Sequence, residues 1–463
     1  MPDLPKRDAN PMQKTRLFRQ VAWAWLFGLN LYGLGTYLSY WHGGGLALRL
    51  CALLLFAYAA WRQRSITAWT FFSIVAGLEL GFDLPRIAAN LHVLAEIFLR
   101  LVRMLIAPLI LGSLTTAIAR HGKGGGLGRV AMRSFIYFEV VTTLALLLGA
   151  VAINLTKAGV GVHVPALALD NAAIPATGQP GFAHFLLNLF PENIALAVAQ
   201  NQILQVAVFA MLFGLALSRL PEQRKAPLLA VLESLTETMF QLARLVMYLA
   251  PLATGAALSY TVATLGLGTL LPLAKLLGTF YASVAAFCVL VLLPILLLAK
   301  VPLRRFIMAI AEPAALGFAT STSEAALPLA MDRMEAFGVP RWVVSFVIPA
   351  GYSFNMDGSS LYLSVAAIFC AQAAGISLSL GQQAFMLGTL MLTSKGVAGV
   401  PRATLLILLG SVAAFNIPTA PVLMILGIDA LIDMGRTAVN VTGNCLACAV
   451  IGKWEARSSD SAL

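Results

Sequence analysis

Apolar runs near residues 21–41, 45–61, 67–82, 93–119 and 133–155 are each long enough to cross a bilayer as a helix, and short polar loops divide them. A Gly-, Pro- and Asn-rich stretch at 156–185 reads as an external loop. Beyond it a helical pattern covers 192–217, and further apolar runs cover 227–258, 267–299, 342–374 and 418–452. Two segments break this rhythm. The first, 303–333, is apolar at both ends but carries Thr320, Ser321, Thr322, Ser323 and Glu324 in its middle, with Pro328 after them. The second, 382–412, is interrupted by Thr393, Ser394, Lys395, Gly396, Gly399 and Pro401. A single crossing at the first would divide Lys300, Arg333 and Arg341 between the two faces, whereas a re-entrant hairpin keeps these cations together inside. Each hairpin is followed by a span with its own polar interruption, so the pair occurs twice with opposite entry sides, an inverted repeat. Helices broken at membrane depth are tolerated where the freed backbone lines a cavity, and secondary transporters hold substrate and ions there.

Composition gives the same class. Hydrophobic residues make up 59% of 463 and charged residues 11%, against about a quarter charged in soluble proteins, so the chain is an integral membrane protein. The net charge of +11 does not mark a nucleic-acid binder, because the basic residues cluster in short loops and form no continuous face. Lys6, Arg7, Lys14, Arg16 and Arg19 place the N-terminal tail in the cytoplasm, and no cleavable signal peptide is expected. The five cysteines all lie in apolar stretches, and Cys445 with Cys448 forms a CxxC without a second pair to complete a zinc site.

The densest chemistry lies in Gly427–Asn444. At helical spacing Asp429, Asp433, Arg436, Thr437, Asn440 and Asn444 share one arc of about 100°, in a helix that is otherwise apolar. Ionisable groups in a bilayer-length segment usually face a bundle interior or a wet cavity. A structural Asp433–Arg436 pair would account for two of the six residues. Earlier, Ser353, Asn355, Asp357 and Gly358 fall mid-span, where a glycine after an acid lets the helix unwind and present oxygens to a hard cation or a proton. The hairpin tips offer hydroxyls and helix starts suited to a carboxylate. Arg436 supplies a planar fork for a carboxylate, and Asp433, one turn away, can receive an ammonium group. A ligand with two carboxylates and one amine satisfies all three, which points to acidic amino acids. Rival classes are an intramembrane aspartyl protease using Asp357 with Asp429 or Asp433, disfavoured because Arg436 opposes a shared proton, and a passive channel.

Four motifs, TSTSEAALP at Thr320–Pro328, NMDG at Asn355–Gly358, SKGVAGVP at Ser394–Pro401 and DMGRTAVNVTGN at Asp433–Asn444, make the chain resemble the dicarboxylate/amino acid:cation symporters from about Thr67 to Glu455. The resemblance implies an all-α integral membrane protein with eight core helices, two re-entrant hairpins and inverted repeats, preceded here by two additional transmembrane helices. It implies a homotrimer in which a transport domain slides like an elevator past a scaffold. The corresponding division is 1–66 for the tail and two added helices, 67–300 for core helices one to six, 301–455 for the hairpins and last two helices, and 456–463 for a cytoplasmic tail. By motif position, Thr322, Ser323, Ser359, Val397, Ala398, Gly399, Asp433, Arg436, Thr437 and Asn440 contact substrate. Thr142, Thr143, Ser353, Asn355, Asp357, Ser394, Asp429 and Asn444 belong to cation or proton sites, with Asn355, Asp357 and Asn440 as the places for sodium if it binds.

Several positions depart from the sodium-coupled members of that family. Asn444 stands where those carry an aspartate, Glu139 replaces an aromatic residue, Glu324 adds an acid at the first tip, and Arg402 replaces a glycine. Leu363 stands where the animal carriers have a proton-carrying glutamate. These departures favour protons as the coupling ion, with Glu139 or Glu324 as carrier, since burial favours the neutral form of a carboxylic acid. The expected activity is uptake of glutamate or aspartate across a bacterial inner membrane. C4-dicarboxylate uptake and sodium coupling are the alternatives. No cofactor is expected, and the other partner is membrane lipid.

Overall fold

The structure, a computed structural model, describes residues 23–37, 45–63, 65–120, 125–162, 190–200, 202–394, 403–415 and 417–460. All regular elements among the described residues are helices. In order, α1 (23–37), α2 (Leu46–Gln63), α3 (Ile66–Asp83), α4 (His92–Arg120) and α5 (Gly125–Thr156) are followed by α6 (Ile203–Ser218), α7 (Glu222–Met247) and α8 (Ala250–Leu265). α9 (Leu270–Phe287) continues through a π turn at Cys288–Leu292. Then come α10 (Leu303–Thr320), α11 (Ser323–Phe337), α12 (Arg341–Phe354), α13 (Asp357–Ala373), α14 (Leu380–Thr393), α15 (Ala403–Ala414), α16 (Ala420–Leu426) and α17 (Asp429–Asp460). Among the described residues five helices are long and apolar enough to cross a membrane, or six if the bent α7–α8 pair is one span. The chain is a multi-pass membrane protein.

The helices pack in two sets. α3 lies along α8, and α4 lies along α6 and α7, whereas α5 lies along α13, and α10, α12 and α13 gather on α17 with α9 behind them. The α3–α8 approach is backbone to backbone: a Cβ on Gly77 would stand 2.4 Å from the Gly255 carbonyl oxygen, and one on Gly81 would stand 2.7 Å from that of Ser259. Small residues four apart on both helices allow this contact, the usual basis of close pairing in lipid. On α3's other side, Arg49 of α2 is buried and reaches Glu79 at 2.9 Å and Asp83 at 3.3 Å. Trp25 of α1 stacks on Phe56 of α2 at 5.0 Å. A buried pair of this kind is a weak source of net stability, but it fixes register.

Three expected spans are divided. The 192–217 pattern is two helices, Ile194–Ala199 and α6, because the Gln202 N–H turns back to the Ala197 carbonyl at 2.8 Å. The 227–258 run bends by 50° between α7 and α8, where Pro251 cannot donate to the preceding turn. The 418–452 run breaks at Gly427–Ile428, so α17 begins at Asp429, whose carboxylate suits a helix start. Two expected interruptions are present. Asn355 and Met356 separate α12 from α13, and Ser321 with Thr322 separates α10 from α11, which pack against each other. The order helix, helix, broken helix then recurs in α14–α17. The N-terminal tail through residue 22, residues 461–463 and most of the 156–185 loop lie outside the described residues, while 456–460 of the expected C-terminal tail continue α17.

Candidate functional site

All six polar residues of the α17 stripe are buried, with exposures between 0 and 5%. α17 packs on α10, α12 and α13, and stripe residues meet all three: Thr437 lies against Gly317, Asn444 bonds Asn355 at the end of α12, and Asn440 bonds the start of α13. Arg436 Nη2 donates to Asp433 Oδ1, and the Thr437 hydroxyl donates to the same oxygen at 3.4 Å. The guanidinium carbon lies 5.6 Å from the centroid of the Tyr362 ring, and the Tyr362 hydroxyl donates to Asp429 Oδ1 at 3.2 Å. Arg436 Nη1, though buried, has no hydrogen-bond partner among the described residues. An orphaned charged donor in a desolvated site costs free energy unless a ligand completes it.

The broken helix on the facing side is tied to α17. The Gly358 and Ser359 N–H groups, orphans at the start of α13, donate to Asn440 Oδ1 at 2.8 and 3.3 Å, and Asn440 Nδ2 donates to Ser359 Oγ at 3.1 Å. Asn440 thus acts as an N-cap supplied by another helix. Asn355 Nδ2 donates to Asp357 Oδ2 at 3.2 Å and to Asn444 Oδ1 at 3.1 Å, holding two acceptors on one amide. Asn355 Oδ1 is buried without a partner among the described residues. Glycine makes this approach feasible, since a Cβ on Gly443 would stand 2.0 Å from Asp357 Oδ2. Gly443→Ala is therefore expected to destabilise the protein by about 1–3 kcal/mol, the usual effect of overpacking, read as a lower thermal midpoint in detergent. An unchanged midpoint would mean that Asp357 can move aside freely.

The first tip is built by a turn rather than a loop. Ser321 caps α10 in the left-handed region, at φ 53° and ψ 25°, and the Thr320 hydroxyl accepts from the Thr322 N–H at 3.4 Å. Holding a non-glycine residue there costs about 1 kcal/mol or more, and the Thr322 side chain makes no capping bond to the N–H groups that open α11. Gly317, one turn before the tip, sits against Thr437 and Val441 of α17. Thr322 and Ser323 are half-buried at the start of α11, Glu324 follows in the same turn, and Ser353 lies in the last turn of α12.

The other expected positions are more scattered. Thr142 is buried in the core face of α5, whereas Glu139 and Thr143 lie half-buried on its flank, where the Thr143 hydroxyl contacts Met391 of α14 at 3.5 Å. Ser394 closes α14, with its hydroxyl donating to the Met391 carbonyl at 3.1 Å. Val397, Ala398, Gly399 and Arg402 lie outside the described residues. Sequence reasoning missed Tyr362, which links Arg436 to Asp429. A tyrosine in the middle of a buried span needs a partner for its hydroxyl, and that was the available signal.

A model of the sodium:dicarboxylate symporter family matches residues 66–454. The proton/glutamate-aspartate symporter of Escherichia coli (strain K12) is 38% identical over 404 residues, covering 84% of this chain and 92% of the relative. The C4-dicarboxylate transport protein of Solibacter usitatus is 38% identical over 397 residues, covering 85% and 92%. The proton/sodium-glutamate symport protein of Bacillus caldotenax is 36% identical over 402 residues, covering 85% and 95%.

Proposed function

The chain belongs to the sodium:dicarboxylate symporter family, and from that membership we propose that it takes up glutamate or aspartate together with protons. Its relatives are transporters, not enzymes, and at the coarser level it is a cation-coupled symporter of dicarboxylates or acidic amino acids. The observation that carries the finer reading is Arg436, buried, paired on one nitrogen with Asp433 and unsatisfied on the other. One substrate carboxylate completes the guanidinium fork, the substrate ammonium meets Asp433, and the second carboxylate lies at the uncapped start of α11. Three buried carboxylates, Asp357, Asp429 and Asp433, accompany the single buried Arg436 of this cluster, so a cation is the natural companion of an anionic substrate. Asn444 in place of an acid favours the proton, with Glu139 or Glu324 as its carrier; Asn355, Asp357, Ser353, Thr142, Thr143 and Ser394 form the alternative sodium ligand set.

In this reading the set built on α17 moves as an elevator past the set built on α3, α4, α6, α7 and α8, with α10–α11 and α14–α15 as re-entrant hairpins. The protomers form trimers in a bacterial inner membrane with the N-terminus cytoplasmic, and α1 with α2 are additions to the static part. The deciding experiment is uptake of labelled glutamate, aspartate and succinate by proteoliposomes under separately imposed proton and sodium gradients. Aspartate or glutamate uptake driven by a proton gradient is expected, and accumulation of none of the three would refute it. Succinate as the preferred substrate is the second reading, supported by the C4-dicarboxylate transport protein at 38% identity. Replacing Asp433 tests the amine contact directly. Asp433→Ser is expected to lower the aspartate-to-succinate affinity ratio by about tenfold or more, measured by competition uptake, and an unchanged ratio would end its amine role.

A further inference from the structure

Two consecutive aromatic residues of α9 touch the site from behind, and nothing above assigns them a role. The Tyr281 hydroxyl donates to the Leu431 carbonyl of α17 at 2.7 Å. Its ring is so close to the same helix that a Cβ on Gly435 would stand 2.8 Å from Cε1 and 3.1 Å from the phenolic oxygen. Leu431 and Gly435 are one rung apart in the helical ladder, and Asp433 lies between them with Arg436 next in the chain. The neighbouring Phe280 is fully buried and meets the Tyr362 ring edge-on at 6.1 Å, and that ring underlies Arg436 at 5.6 Å.

The break at Gly427–Ile428 gives this contact its importance. Between Leu426 of α16 and Asp429 the regular ladder gives way to two short turns, Gly427 N–H to the Met424 carbonyl at 3.2 Å and Ile428 N–H to the Ile425 carbonyl at 2.9 Å, so the first two turns of α17, which carry Asp429, Asp433 and Arg436, are not held by an unbroken helix. A helix start at such a break is less rigidly set than a helix interior, and side chains from a neighbouring helix can fix it. We propose that Tyr281 and Phe280 of α9 are positioning residues for substrate binding: the phenol sets the start of α17 and so Asp433, and the phenyl ring sets Tyr362 and so Arg436. The proposal rests on the reading of Arg436 and Asp433 as substrate contacts. Neither aromatic touches the substrate.

Tyr281→Phe removes one oxygen and keeps the ring. The expected result is a rise in KM of between about threefold and tenfold for whichever of aspartate, glutamate or succinate is transported, with the maximal rate per folded molecule within about twofold. A merely structural role would lower the amount of folded protein at unchanged KM. Gly435→Ala, which must push the phenol off Leu431, is expected to raise KM as well. The double variant should be no worse than Gly435→Ala alone, because both changes remove the same contact. Unchanged KM in Tyr281→Phe, while Arg436→Lys loses affinity, overturns the brace and leaves the substrate site standing. Unchanged affinity in both overturns the reading of the site itself.

Discussion

Arg436→Ala is expected to bring uptake of aspartate, glutamate and succinate below about 1% of the wild-type rate per folded molecule. A carboxylate held by the guanidinium fork gains charge-assisted hydrogen bonds of roughly 1.5–3 kcal/mol each, and methyl offers none. The substitution also strands Asp433, which is 2% exposed and keeps the Thr437 hydroxyl at 3.4 Å as a donor. Breaking a buried pair in this way costs about 3–5 kcal/mol, so the folded fraction must be measured by size exclusion and uptake normalised to it. Two companions separate recognition from folding. Asp433→Asn added to Arg436→Ala removes the stranded charge and should restore the thermal midpoint without restoring uptake. Arg436→Lys keeps the charge but loses the planar fork, and should fall between the two. Wild-type rates in Arg436→Ala would remove this residue from the site.

Much of this site is legible in the sequence because it depends on one helix and on local breakers. The 3.6-residue period puts Asp429, Asp433, Arg436, Thr437, Asn440 and Asn444 on one stripe, and all six are buried together. The interruption at Asn355–Met356 and the tip at Ser321–Thr322 follow from glycine, acids and hydroxyls where a span should be apolar. What the sequence hides is pairing between distant segments. Asn440 reads as a ligand residue, yet its oxygen caps α13, a partner 81 and 82 residues away that no local pattern reveals. Phe280, Tyr281 and Tyr362 carry no signal of their own in the sequence for what their rings touch, because an aromatic ring in a span looks the same whether it packs on lipid, on core or on a buried arginine. The break before Asp429 was hidden for a different reason: Gly427 lies in a run apolar enough to pass for continuous helix, and the close approach of Leu258 to Gly427 is a tertiary fact.

If protons are the coupling ion as proposed, Asn444→Asp is expected to make the protein sodium-dependent through the amide of Asn355. In the wild-type chain one NH2 group serves two acceptors, Asp357 Oδ2 and Asn444 Oδ1, and one of these acceptors belongs to a neutral amide. The arrangement carries one carboxylate, and Asn355 Oδ1 is its buried oxygen without a partner among the described residues. Aspartate at 444, where the side chain is 2% exposed, sets a second carboxylate against the same amide, and two such groups in a desolvated site cannot both ionise without a cation or a shared proton. In sodium-free buffer the variant should lose about 3–5 kcal/mol, the scale of an uncompensated buried charge, and sodium should recover most of it by binding the folded state. Sodium is thus expected to raise the thermal midpoint of the variant and to stimulate its uptake, while both remain flat in the wild type. Indifference of the variant to sodium would mean that position 444 does not face the ion path. A wild-type chain driven by a sodium gradient and not by protons would reverse the assignment and restore Asn355, Asp357 and Asn440 as sodium ligands.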